Sequence, residues 1–365
     1  MSGGGTRGEG AAAMRTHRAR LDEVRWGIIG CGAVTEIKSG PALQNVAGSR
    51  IVAVMRRSGE KAADYARRHG VPRWYDDAER LVADPDVNAV YVATPPGSHL
   101  ACALLACAHG RPAYVEKPMA RNHAECARMV EAFRNANVPL FVAYYRRALP
   151  RFLKARELLA DGALGRITGV ASRFAGAYHR NLAPGAALPW RLRPEESGGG
   201  IFLDLGSHTL DVLDFLLGPL EGVSGSATNV ASPHDVEDNV ALHFRTASGA
   251  LGTARWNFAA SARADEILVE GDEGELAIST FGDAPLELRR ASGTERFAIE
   301  NPAHIQEPMI ATVVSELRGQ GRCESTGVSA ARTQAVMDAA LDGYYGGRQR
   351  PFWEDPASWP GRPTR

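Results

Sequence analysis

From Trp26 onward the chain alternates short apolar runs with longer stretches whose apolar positions recur at helical spacing. The runs Trp26–Ile29, Ile51–Met55, Arg73–Tyr75, Ala89–Ala93, Ala113–Glu116 and Leu140–Ala143 read as strands. Ser58–His69, Ser98–His109 and Asn122–Asn135 read as helices between them. Strands that are apolar throughout and separated by helices predict a parallel sheet covered on both faces. After Pro150 the pattern changes. A helix over Arg151–Asp161 leads into glycine-punctuated strands at Ile167–Ala175, Gly222–Val230, Val240–Arg245, Ala250–Phe258, Glu266–Glu270 and Glu275–Thr280. Several of these alternate apolar and polar residues, which predicts an antiparallel sheet with one covered face. Further helices are expected at Ser207–Leu217, Glu307–Arg318 and Ser329–Tyr345.

Composition narrows the function classes. Among 365 residues, 42 Lys and Arg balance 42 Asp and Glu, for a net charge of zero. That removes the electrostatic case for nucleic acid or an anionic membrane as main partner. No apolar run reaches the roughly 18 residues of a membrane-spanning helix. The five cysteines are odd in number and show no CxxC spacing. They suit neither a disulfide framework nor a cysteine zinc site, and they fit a reducing, cytoplasmic setting. Only four basic residues are lysines: Lys38, Lys61, Lys117 and Lys154. A lysine kept against such a bias marks a place where a point charge serves better than a guanidinium fork.

The first predicted strand runs into Gly30-Cys31-Gly32-Ala33-Val34-Thr35. Two glycines in a strand–turn–helix let backbone N–H groups approach a pyrophosphate, although Thr35 replaces the third glycine of the dinucleotide fingerprint. The second strand ends in Arg56-Arg57-Ser58, where an NAD-preferring fold usually places an acid for the ribose 2′-hydroxyl. Two arginines and a hydroxyl suit a 2′-phosphate instead. NADP(H) is therefore the expected cofactor, with NAD(H) as second choice.

Three more segments stand out. Thr94-Pro95-Pro96 with His99 follows the fourth strand, and Glu116-Lys117-Pro118 ends the fifth, so both fall on the carboxyl edge where such sheets bind ligands. In Gly198–Asp211, Asp204 and His208 are four residues apart and share one face if the segment is helical. Asp204 also suits a helix cap. No third ligand at a metal-site spacing accompanies them, so no metal is expected.

These motifs resemble the Gfo/Idh/MocA oxidoreductases, a family of NAD(P)-dependent sugar and polyol dehydrogenases. The matching residues are GIIGCGAV (Gly27–Val34), ATPPGSH (Ala93–His99), EKP (Glu116–Pro118) and GGGIFLDLGSHTLD (Gly198–Asp211), in order over about residues 25–345. The resemblance implies an α/β fold: an N-terminal Rossmann doubly wound parallel sheet, then a C-terminal α/β domain with a large open, mostly antiparallel sheet. Many members form dimers or tetramers through that sheet. The expected division is a disordered tail at 1–21, the dinucleotide-binding domain at 22–147, the substrate and oligomerisation domain at 148–346, and a C-terminal tail at 347–365.

By the same resemblance Lys117, Asp204 and His208 match the catalytic positions. His208 would move the alcohol proton, Asp204 would orient and charge-stabilise it, and Lys117 would bind the reacting oxygen. In some members the lysine or a tyrosine donates the proton, so the trio carries over and the individual roles stay open. Cys31, Pro95, Pro96, His99, Glu116, Trp190 and Arg191 are expected around the cofactor. Tyr145, Arg147 and Tyr178 are expected around the substrate, Tyr145 standing where many members carry Asn. His179, Arg193, Asn257 and Gln306 are pocket candidates by position alone. The leading expectation is a sugar or polyol oxidoreductase, with reduction of a carbonyl as the favoured direction. An NAD-assisted glycosidase or a non-enzymatic nucleotide sensor on the same fold are the alternatives.

Overall fold

The computed structural model describes residues 20–178, 182 and 187–364. Of the expected N-terminal tail, residues 1–19 lie outside this range, as does His179. Six strands form one parallel sheet: β1 (Val24–Ile29), β2 (Ser49–Met55), β3 (Arg73–Tyr75), β4 (Ala89–Val92), β5 (Ala113–Val115) and β6 (Leu140–Val142). Their order, β3-β2-β1-β4-β5-β6, reverses direction between β1 and β4. Successive side chains enter opposite cores, as strand geometry requires. Tyr91, Tyr114 and Phe141 join one apolar cluster, while their neighbours Val90, Val92, Val115 and Val142 join the other. Apart from the half-exposed edge strand β3, the expected apolar runs are therefore strands covered twice.

The second sheet has eight strands: β7 (Ile167–Ala177), β8 (Glu221–Thr228), β9 (Asn239–Arg245), β10 (Leu251–Asn257), β11 (Ala259–Gly271), β12 (Glu275–Ile278), β13 (Leu286–Arg290) and β14 (Gly293–Phe297). Their order is β14-β13-β12-β11-β7-β10-β9-β8, with only β7 and β10 parallel. Val240, Leu242, Phe244, Ala254 and Trp256 point into the core, while Ala241, His243, Thr253 and Arg255 face outward. This is the one-faced alternation expected from the sequence.

Three departures have local causes. β11 begins at Ala259, well before the predicted Glu266, because its first residues are exposed and the ladder shifts register before Ala264. β13 and β14 were not expected. They form a charge-rich hairpin at the sheet edge, in which β13 buries only Leu286 and Leu288 and β14 is largely exposed. The helix predicted from Ser207 begins at Ile201. Gly206, one residue before the predicted start, lies inside the helix, where a Cβ would run into the Phe202 ring.

The lobes are tied together. The helix Gly327–Tyr345 packs on the helix His123–Asn135 of the first lobe and on β8 of the second. Just before it, Ser325 donates its hydroxyl to the Val142 carbonyl at 2.6 Å. Residues expected as a C-terminal tail fold back onto this helix. Phe352 and Trp359 are buried against Tyr345, and the Trp359 indole donates to the Phe352 carbonyl at 2.8 Å. Among the described residues no helix is long and apolar enough to cross a membrane.

Candidate active site

At the carboxyl edge of β1 the chain turns through Gly30, whose φ of 92° lies in the left-handed region. A Cβ there would sit 2.6 Å from Thr94 Cγ2, so only glycine admits the close approach of the β4 loop. Thr35, in the third fingerprint position, closes the turn. Its hydroxyl accepts from the Gly32 N–H and donates to the Gly32 carbonyl, each at 2.9 Å. Ala33 and Val34 then line a cavity of about 510 Å³ between the two lobes.

Four expected motifs meet in this cavity. Thr94, Pro95 and Pro96 come from the end of β4, Glu116 and Lys117 from the end of β5, Trp190 and Arg191 from the turn before residue 194, and Asp204 and His208 from the helix Ile201–Leu217. The start of that helix is fixed by Glu237. Its buried carboxylate accepts from the Gly200 N–H at 2.9 and 3.0 Å and from the Tyr345 hydroxyl. Burial pushes the Glu237 carboxyl up from 4.5 to about 6.

Lys117 Nζ lies 2.5 Å from Asp204 Oδ1 and also donates to the Asp204 carbonyl at 3.0 Å. Arg191 Nε reaches the other carboxylate oxygen at 2.7 Å. Burial raises the Asp204 pKa, but the charges of Lys117 and Arg191 overcome it and hold the carboxyl at about 2. Glu116 is buried one residue earlier. It accepts from the Tyr91 hydroxyl at 2.6 Å and from Gln306 Nε2 at 2.9 Å. This network sets the direction from which Lys117 enters the cavity.

His208 follows a different logic from the one expected. Asp204 is occupied by Lys117 and Arg191 and makes no hydrogen bond to the imidazole, whose buried Nδ1 has no partner among the described residues. Rings surround it instead: Tyr145 at 5.4 Å, Phe281 at 5.6 Å and Tyr144 at 6.3 Å between centroids. Burial lowers its pKa well below 6.5, and the nearby charges of Arg146, Lys117 and Lys38 lower it further. The expected Asp204–His208 pairing is thus replaced by a neutral histidine in an aromatic frame.

Other expected contacts are also structural. Arg147 is buried and bonded to both carboxylate oxygens of Asp211, at 2.9 and 2.8 Å, and to Asp214, so it is spent away from the cavity. His99 is fully buried, with Nε2 2.7 Å from the Thr94 carbonyl and Nδ1 3.1 Å from that of Pro118. It braces the two motif loops against each other rather than lining the cavity. Tyr178 packs on Phe174 and Phe258, Arg193 faces Glu196, and Asn257 caps the Ala259 N–H; none lines the cavity. Cys31 is buried under the glycine turn.

Arg56, Arg57 and Ser58 lie outside the cavity, at the end of β2. Both arginines are exposed, and neither has an ion-pair partner among the described residues. Glu36, the acid on the helix after the glycine turn, is already held by Arg68 and His69. The residues present therefore fit a dinucleotide laid along the glycine turn, with Arg56, Arg57 and Ser58 at the strand end where such folds place the distal ribose.

Sequence reasoning did not single out Lys38 or Phe281 as lining residues. Phe281 follows β12, and its loop is held by Asp265, which accepts from the N–H groups of Thr280, Phe281 and Gly282 at 2.7–2.8 Å. No spacing in the sequence links Asp265 to that loop.

The description "Oxidoreductase family, NAD-binding Rossmann fold" matches residues 24–144, and "GFO/IDH/MocA C-terminal domain" matches residues 152–277. The chain belongs to the Gfo/Idh/MocA family of oxidoreductases. Among its relatives in that family is Oxidoreductase P35 of Formosa agariphila, 38% identical over 317 residues, covering 86% of this chain and 97% of that protein. The 1,5-anhydro-D-fructose reductase of Ensifer adhaerens is 31% identical over 329 residues, covering 87% and 97%. Levoglucosan dehydrogenase solved with NADH and levoglucosan shares the family fold, with a TM-score of 0.78, 23% identity and coverage of 88% of this chain and 96% of that one. The chain is thus a dehydrogenase or reductase with a dinucleotide-binding Rossmann domain.

Proposed function

We propose that the protein is an NADP-dependent oxidoreductase that interconverts a hydroxyl and a carbonyl group on a carbohydrate, polyol or related compound. The observation that carries this reading is the Asp204 carboxylate shared by Lys117 and Arg191 in a cavity that His208 also lines. When bound, the cofactor supplies or accepts the hydride. Everything else falls to the chain. Lys117 Nζ, held by Asp204, hydrogen-bonds the reacting oxygen and stabilises its alkoxide character. His208, neutral at neutral pH, takes the alcohol proton during oxidation and returns it during reduction. Tyr145 and Phe281 flank the imidazole and keep water from its face.

The NADP preference is supported by the exposed Arg56 and Arg57 at the end of β2, neither of which has an ion-pair partner among the described residues. Reduction of a sugar carbonyl is the favoured direction, in keeping with the named activity of the Ensifer relative. The outward face of the second sheet is the surface through which we expect a homodimer or homotetramer. A screen of aldoses, keto sugars and polyols with NADP(H), following nicotinamide absorbance, tests the reading. Turnover that Lys117→Met abolishes supports it. Binding of a dinucleotide without turnover of any carbonyl or alcohol counts against it.

A further inference from the structure

The charges on the cavity wall do not cancel. Lys38, Lys117 and Arg191 face it, against Glu116 and Asp204. Asp204 is shared between Lys117 and Arg191, and Glu116 is closed in by Tyr91 and Gln306. Lys38 is left with no acidic partner among the described residues, whereas Lys117 and Lys154 each have one. Lys38 lines the same cavity as His208, and Arg56 does not. A buried cation adds to the field: the Arg146 guanidinium lies between Tyr145 and Phe281, 4.9 and 4.5 Å from their centroids, with Nη1 unpartnered.

A second observation concerns Gln306. Its side chain is almost fully buried and lines the same cavity. Its Nε2 is committed to Glu116, which fixes the amide, and its Oε1 has no partner among the described residues. A buried amide oxygen without a donor costs free energy that a hydroxyl-bearing ligand would recover. The cavity therefore offers an uncompensated positive charge and an unused acceptor beside the proposed catalytic groups.

We propose that the substrate is a sugar acid, its carboxylate held by Lys38 and one of its hydroxyls donated to Gln306 Oε1. This rests on the oxidoreductase reading above and refines it. A carboxylate on a polyhydroxylated chain supplies both the charge and the donor that the wall lacks, whereas a neutral sugar leaves Lys38 unpaired.

The test uses the full chain and matched pairs: D-glucuronate with D-glucose, D-galacturonate with D-galactose, and D-gluconate with D-sorbitol. Initial rates are measured with NADP(H), and binding to the NADP⁺ complex is read by calorimetry so that affinity does not depend on turnover. The acidic member of at least one pair is expected to exceed its neutral partner at least tenfold, in kcat/KM or in affinity. In Lys38→Met that ratio is expected to fall close to one. Preference for the neutral member in every pair, no binding of any acid, or a ratio that survives Lys38→Met would overturn the proposal. So would a tenfold loss of NADPH affinity in Lys38→Met, which would assign the lysine to the cofactor. Failure of the underlying reading looks different: the wild-type protein then binds no nicotinamide dinucleotide, or binds one and turns over neither member of any pair.

Discussion

Lys117 and Asp204 are 87 positions apart, yet Nζ and Oδ1 stand 2.5 Å from each other across the junction of the two lobes. One comes from the end of a parallel strand, the other from the first turn of a helix belonging to the second lobe. The contact sets the charge state of the site as well as its geometry, because the charges of Lys117 and Arg191 hold Asp204 ionised against its burial.

Replacing Lys117 by Met should lower kcat/KM about a hundred- to a thousandfold, the loss typical of one preorganised donor to a developing oxyanion. Asp204→Asn should cost nearly as much, because it releases both Lys117 and Arg191. The double variant should be little worse than either single one, since the residues act as a unit. Steady-state kinetics of the three variants checks this; additive losses would mean that the pair does not act together.

His208 gives a pH signature. Its native pKa lies well below the unfolded value of 6.5. Below pH 6.5 the unfolded chain therefore binds a proton that the native protein refuses, and stability falls as the pH drops. Alcohol oxidation should hold a plateau at neutral pH and decline only on the acid side of 6.5. In His208→Phe this contribution to acid destabilisation should disappear along with activity. Denaturant midpoints from pH 5 to 8, with a parallel rate profile, test both parts.

Glu237 should show the opposite slope. Its native pKa is about 6, above the ordinary 4.5. Between those values the native state holds a proton that the unfolded state has lost, so this residue's contribution to stability falls as the pH rises through the window. Glu237→Gln keeps a polar group against the Gly200 N–H and should flatten that dependence. Urea unfolding of the two proteins from pH 4 to 7 is the check.

The first lobe was legible in the sequence because its strands are apolar on both faces and punctuated by glycine turns. The second sheet was legible wherever one face is buried over several residues, as in β9 and β10; β13 buries only Leu286 and Leu288, too short an alternation to stand out among its charges, and β14, at the edge, is largely exposed. The site divides in the same way. Lys117, Asp204 and His208 sit in local motifs, so sequence placed them in one cavity. Their partners did not follow from spacing. Asp204 turns to Lys117 and Arg191 rather than to the histidine one helical turn away, and Arg147 is drawn into a buried ion pair by Asp211 and Asp214, which no local pattern announces. The segment after Gly346 read as a tail for a related reason: Phe352 and Trp359 are isolated apolar residues among prolines and arginines, and only the surface they cover explains them.

That segment makes a stability prediction. Phe352→Ala or Trp359→Ala should each cost about 3–5 kcal/mol, as for large aromatic truncations in a packed core. Trp359 would also lose its indole bond to the Phe352 carbonyl. Equilibrium unfolding in urea measures the cost, and a change under about 1 kcal/mol would show that the segment is not part of the core.

The central claim is an oxidoreductase whose second strand selects NADP(H). Fluorescence titration of the purified protein with NADPH and with NADH, on wild type and on Arg56→Ala, tests it most directly. The account predicts that NADPH binds at least about tenfold tighter, a difference of about 1.4 kcal/mol. Arg56→Ala should remove most of that difference. NADH binding as tightly as NADPH, or a preference that survives loss of Arg56, would contradict it.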